Sequence, residues 1–133
     1  ANVLEAALGP KTERKDFIAS AQAEAEAVYR QAGITWNPVG QGASDPRREE
    51  LMQMQPVAGA MRFGGSSTQS LQRGTPAIET DYLNGEIVLL GRLHGVPTPV
   101  NAALVALGQR LIAERLSPGE LSRDDVAAAL GQP

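Results

Sequence analysis

Residues 73–101 read RGTPAIETDYLNGEIVLLGRLHGVPTPVN, and they decide the fold. Between Pro76 and Gly95 the apolar residues recur at helical rather than alternating spacing. Ile78, Tyr82, Leu89 and Leu93 make one row, and Leu83, Ile87 and Leu90 make a second beside it. A band that wide predicts a core helix from about Ala77 to His94, buried on most sides. Gly95 is placed to stop it, and His94 in its last turn suits the helix dipole. Two features fit a core helix poorly. Glu79 and Asp81 stand at its start, and Asn84-Gly85 in its interior costs about 1 kcal/mol or more relative to alanine.

Each of these has a plain reading and a functional one. A carboxylate in the first turn is favoured by the dipole whatever else it does. For Asp81 the plain reading is the stronger, because it falls on the opposite side of the helix from Ile78 and Tyr82. Gly85 marks either close packing of a second helix or room for a ligand.

The pattern outside this stretch is also helical. Downstream, Thr98 with Pro99 predicts the start of a helix to about Leu116, and Ser122 the cap of a last short one. Upstream, NVLEAALG reads as the final turns of a helix closed by Gly9-Pro10. Thr12 is expected to cap a long helix in which Phe17, Ala21, Ala25, Val28 and Ala32 form one stripe, ending at Gly33. Asp45-Pro46 predicts a short helix over RREELMQMQ. Residues 56–66 are irregular, and Ser66 or Ser67 is placed to cap the short segment STQSLQ. No strand and no internal repeat is evident. The expected fold class is all-α, a single helical domain.

Composition narrows the function. The chain has 133 residues, enough for one ordinary domain, and 42 % apolar with 20 % charged residues is a globular mixture. The net charge of −3 and the lack of a basic cluster longer than Arg47-Arg48 argue against nucleic acid. With no cysteine and one histidine, disulfides, thiolate chemistry and a structural zinc site are excluded or improbable, so no metal is expected. No window is apolar enough for a membrane span, and a cytoplasmic location is the expectation. Neither G-x-G-x-x-G nor a P-loop is present. The glycines before Ser66-Ser67 leave backbone N–H groups free at a helix start, suited to a carboxylate or phosphate, although a serine there is also an ordinary cap. Residue types and spacing alone stop at a helical domain with a candidate anion pocket around Ser67 and Glu79.

Three motifs carry a more specific resemblance: the serine pair at 66–67, IETDYLNG at 78–85, and GVPTPVN at 95–101. Their types and separations resemble those of the C-terminal domain of ketopantoate reductases (2-dehydropantoate 2-reductases), a 6-phosphogluconate dehydrogenase C-terminal-like helical fold. NVLEAALGP and AEAEAVYRQAGI are similar to two further helices of that family. The resemblance spans nearly the whole chain and is strongest from about 64 to 105.

It implies a helical substrate domain that works with an N-terminal Rossmann domain holding NADPH, the substrate lying between them. The implied reaction, a step of pantothenate biosynthesis, is hydride transfer to the keto carbon of a small 2-oxo acid, with a lysine supplying the proton. By motif, Glu79 matches the glutamate near that lysine and the substrate hydroxyl, a catalytic position. Ser67 matches the serine that binds the substrate carboxylate, and Asn2 matches a substrate-contacting asparagine. The lysine belongs several residues before Asn2, outside this sequence; Lys11 and Lys15 are not at its position. The Rossmann half is likewise outside the chain, which by itself is expected to be inactive. Thr68-Gln69 stands where many relatives carry methionine, and Gly65 where they often carry a basic or polar residue, so the particular 2-oxo acid stays open. The rival expectation is a freestanding helical domain that binds a partner or forms a homodimer.

Overall fold

The computed structural model describes residues 2–36, 64–75 and 77–132. Among them are six helices and no strand: α1 Asn2–Leu8, α2 Lys15–Ala32, α3 Ser66–Gln72, α4 Thr80–His94, α5 Pro99–Ala113 and α6 Arg123–Ala129. The all-α expectation holds. The helix expected after Asp45-Pro46 and most of the irregular stretch at 56–66 lie outside the described residues. No described helix is long and apolar enough to cross a membrane.

α1 sits at the centre. Val3, Leu4, Ala6, Ala7 and Leu8 are all buried, against Phe17 of α2, Leu104, Leu107 and Leu111 of α5, and Val126 of α6. A buried helix end must find partners for its last four carbonyls, because no water reaches them. Each of the four has one. Gly9 N–H donates to Glu5, Gly119 N–H to Ala6 and Leu121 N–H to Ala7, at 2.8, 2.9 and 3.1 Å. The Thr12 hydroxyl donates to the Leu8 carbonyl at 2.9 Å. Thr12 therefore closes α1 and does not cap α2. That task falls to Glu13, whose Oε1 accepts from the N–H groups of both Arg14 and Lys15 at 3.0 Å.

α4 and α5 form an antiparallel hairpin joined by residues 95–98. Gly33 and Gly95 end their helices in the left-handed conformation, as expected from their positions. Of the two readings of Gly85, close helix packing is not the one observed: a Cβ at that position meets nothing nearer than Val105 Cγ2 at 3.9 Å. The tight glycines are Gly91 and Gly108. A Cβ on Gly91 would lie 2.7 Å from the Val96 carbonyl oxygen, and one on Gly108 3.1 Å from Ile78 Cδ1 and Thr80 Oγ1.

The N-terminus of α5 is capped from across the molecule. Thr98 is the capping residue by position, but its side chain makes no cap bond. Glu24 of α2 supplies the acceptor, its carboxylate receiving the N–H groups of Val100 and Asn101 at 2.8 and 2.9 Å and Asn101 Nδ2 at 2.7 Å. The other face of the Asn101 amide accepts from Asn84 Nδ2 at 2.8 Å. The two motif asparagines thus join α2, α4 and α5.

One expectation is reversed. Tyr82, Leu83, Leu89 and Leu93 are not core residues: they are 82 %, 52 %, 49 % and 69 % exposed. α4 buries Thr80, Ile87 and Gly91 on its inner side and turns an apolar row outward.

At the far end, the expected Ser122 cap is present as a reciprocal box with Asp125. Arg123 pairs with Asp16 and stacks 4.4 Å above the centre of the Phe17 ring. The Arg123 hydrogen bond lowers the Asp16 carboxyl below its ordinary 3.8, and the Ser122 hydroxyl and N–H do the same for Asp125. The Lys15 and Arg14 N–H groups lower Glu13 below its ordinary 4.5.

Two outcomes follow for stability. Gly85→Ala should stabilise the fold by about 0.5–1 kcal/mol, since helix propensity improves and nothing is displaced. Gly91→Ala should destabilise by about 2 kcal/mol or more through backbone overpacking, with both read from urea denaturation midpoints. Because the folded pKa values of Glu13, Asp16 and Asp125 lie below the unfolded ones, their contribution is fully present above about pH 5. It is lost as pH falls through the lowered folded values. Denaturation midpoints should therefore drop between about pH 5 and pH 3, and Asp125→Asn should flatten that slope.

Candidate functional site

Three segments far apart in the chain meet at one surface: the first turn of α1, the Gly64-Gly65 turn into α3, and the residue before α4. They are joined by polar side chains. Asn2 Nδ2 donates to Ser66 Oγ at 3.3 Å, and Ser66 Oγ donates to Glu79 Oε2 at 3.0 Å. Asn2, Ser66 and Glu79 are all exposed.

The turn beneath them is held by Glu5. Its Oε1 accepts the Gly65 N–H at 2.9 Å, and its Oε2 lies 3.7 Å from the Arg14 guanidinium. The turn has to be glycine: Gly64 has a φ of 62°, and a Cβ there would fall 2.6 Å from Glu5 Oε1 and 2.8 Å from the Thr68 side chain. Gln69 Nε2 donates to the Gly64 carbonyl and closes the turn from the other side.

Glu79 occupies the capping position of α4, yet its side chain makes no cap bond to that helix. Tyr82 and Leu83 N–H groups go to the Glu79 backbone carbonyl, and the carboxylate reaches across to Ser66. The plain reading of Glu79 as a helix cap therefore does not account for where its side chain points. The dipole of α4 still favours its charge. Asp81, by contrast, is an exposed residue with one long contact, 3.4 Å to Gln109 Nε2.

Neither Ser66 nor Ser67 is the cap of α3: Gly65 holds that position and the helix starts at Ser66. Ser67 is 2 % exposed and Thr68 5 %, and among the described residues neither hydroxyl has a hydrogen-bond partner. Two adjacent buried hydroxyls without partners are uncommon, since each costs about 1–3 kcal/mol of unrecovered desolvation. His94 lies at the far end of α4, about 20 Å along the helix from Glu79. Among the described residues no group of His, Asp or Glu could hold a metal ion.

The expected residues Asn2, Ser67 and Glu79 thus fall in one neighbourhood, with Ser66 as the side chain that bridges Asn2 and Glu79. Sequence reasoning missed Glu5 as a member. The available signal was a carboxylate inside NVLEAAL, a helix otherwise apolar enough to be buried.

This is an all-α domain whose polar cluster brings Ser66 of the serine pair to the glutamate of the IETDYLNG segment. The family model described as ketopantoate reductase PanE/ApbA C terminal matches residues 4–111, and the chain belongs to that family. The match runs from α1 through most of α5 and takes in Ser66, Ser67, Glu79 and both motif asparagines. No curated protein and no solved structure matches the chain.

Removing the Ser67 hydroxyl tests whether it is unpaired. Ser67→Ala should leave the isolated chain as stable as before or more stable by about 1 kcal/mol in urea denaturation. A loss of that size would mean the hydroxyl has a partner.

Proposed function

We propose that this domain binds the substrate of an NADPH-dependent 2-oxo acid reductase, with ketopantoate reduced to pantoate in pantothenate biosynthesis. The observation that carries the reading is the direction of the Glu79 carboxylate. It turns away from its own helix and toward Ser66 at an exposed surface, where it adds nothing to the core.

In this reading the cluster is one wall of a cleft whose other wall is an N-terminal Rossmann domain. NADPH, held by the Rossmann domain, supplies the hydride to the keto carbon.

The roles proposed for this chain follow from its donors and acceptors. Glu79 accepts, so it holds a protonated lysine of the complete enzyme beside the substrate oxygen and accepts from the product hydroxyl. A carboxylate there keeps the ammonium charged and oriented until it gives up its proton. Ser67 carries a hydroxyl without a partner and donates to the substrate carboxylate; the Gly65 turn must yield slightly to let it do so. Asn2 donates to substrate from the first turn of α1, exchanging its bond to Ser66. Glu5 keeps the Gly64-Gly65 turn close to α1 and so sets the spacing between Asn2 and the serines.

The test is the complete reductase containing this domain. Glu79→Ala should lower kcat with ketopantoate and NADPH by about 10²–10⁴-fold, while the circular dichroism and melting temperature stay those of the parent. An unchanged rate would refute the assignment. The same assay on a panel of 2-oxo acids decides between ketopantoate and another substrate of this class.

A further inference from the structure

A second carboxylate borders the polar cluster, and the roles given above leave its charge unused. Glu5 follows Asn2 by one turn of α1, and its Oε1 takes the Gly65 N–H at 2.9 Å. A Cβ placed on Gly65 would lie 3.7 Å from Glu5 Oε2 and 3.7 Å from Asn2 Oδ1, so the charge and the amide flank the same glycine. One N–H donor does not neutralise a carboxylate. With its side chain only 21 % exposed, Glu5 is incompletely screened by water and would repel an anion arriving at the serine pair.

Arg14 answers that charge. The two residues stand on either side of the turn that joins α1 to α2, and Arg14 Nη2 lies 3.7 Å from Glu5 Oε2. The guanidinium is tied in place: its Nη1 donates to the carbonyls of Gly9, Pro10 and Thr12 at 3.3, 3.4 and 3.1 Å. The turn itself therefore holds the cation against α1. Arginine suits the task, because its planar fork serves several acceptors at once and never gives up its charge. A clasp for the turn would need only the N–H groups. The charge matters to Glu5.

We infer that Arg14 is a positioning residue of the site that acts through Glu5: it cancels that carboxylate, so that a substrate carboxylate can approach Ser67 and Asn2. The inference rests on the reading of the cluster as one wall of a 2-oxo acid site. In that reading Glu79 is matched by a lysine of the complete enzyme, and Glu5 is matched within this chain by Arg14. The KM for the 2-oxo acid should then follow the net charge of the Glu5–Arg14 pair.

Steady-state kinetics of the complete reductase with ketopantoate and NADPH test this in the parent, Arg14→Gln, Glu5→Gln and the double variant. Glutamine at 14 keeps N–H donors for the turn, and glutamine at 5 keeps an acceptor for Gly65, so each change removes charge and spares hydrogen bonding. Arg14→Gln makes the pair negative and should raise KM about tenfold, with kcat within about twofold of the parent. Glu5→Gln makes it positive and should lower KM by about three- to tenfold. The double variant is neutral again and should return KM to within about twofold of the parent. If Arg14→Gln loses its helical circular dichroism, the fall in KM of Glu5→Gln decides alone. A KM that rises in all three variants, most in the double one, makes the contact structural and overturns the inference, as does a KM that no variant moves. Glu79→Ala in the same assay keeps the two readings apart. An unchanged rate there ends the site reading and this inference with it, whereas a lowered kcat beside a flat charge series ends only the role of Arg14.

Discussion

One carboxylate holds three of the helices, α2, α4 and α5, in relation to one another. Glu24, near the middle of α2, takes three N–H donors from the start of α5, and Asn101 passes the connection on to Asn84 of α4. A charged acceptor satisfied by three donors is worth more than the same number of neutral bonds, and removing it would leave a helix start and an amide without partners. The clasp grips α4 about one turn after its start. Gly91 fixes its far end against the Val96–Thr98 turn, and Gly108 admits Thr80 and Ile78 at its near end. Glu79 is the residue just before Thr80, so its position is set by these three contacts and not by its own loop.

α1 serves the core and the polar cluster at once. Its apolar residues fill the centre, its four last carbonyls are closed by two local donors and by the remote N–H groups of Gly119 and Leu121, and its two remaining side chains, Asn2 and Glu5, reach the segment that starts α3. A turn of two glycines would otherwise be loose, because glycine loses the most freedom on ordering. Glu5 compensates with a bond to the Gly65 N–H. The unpaired hydroxyls of Ser67 and Thr68 are therefore held in place by a well-anchored structure, the circumstance in which a locally unfavourable arrangement persists.

Much of this was legible from spacing. The helical periods, the Gly33 and Gly95 stops, Pro99 at the start of α5 and the Ser122 box are local signals, and local physics decides them. What failed needed tertiary information. Thr12 and Thr98 stand at suitable capping positions, but Glu13 and the remote Glu24 do the capping, and nothing in the spacing marks an acceptor 76 residues away. For Gly85 the spacing left close packing and ligand room both open; Gly91 and Gly108 are the ones that meet another backbone or side chain. Periodicity identified both apolar faces of α4 without saying which has a neighbour, so Tyr82, Leu89 and Leu93 were expected inside. At the cluster, Glu79, Ser67 and Asn2 came from resemblance to a family, whereas the bridging role of Ser66 and the anchoring role of Glu5 depend on contacts across 13 and 60 residues.

The two unusual properties of α4 bear on each other. Its inner half is docked by the clasp, its outer half is apolar, and Glu79 stands where the helix begins. Whatever covers the outer face approaches within a turn or two of that carboxylate. It would displace water from one side of Glu79 and strengthen the carboxylate's attraction for any cation brought to it. A helix that is apolar all round is usually a buried helix. Here only the inner half is buried, and Glu79 lies at the margin of the exposed apolar half. The exposed apolar face and the polar cluster are for that reason neighbours in space, and any surface laid on the first would lower the dielectric around the second.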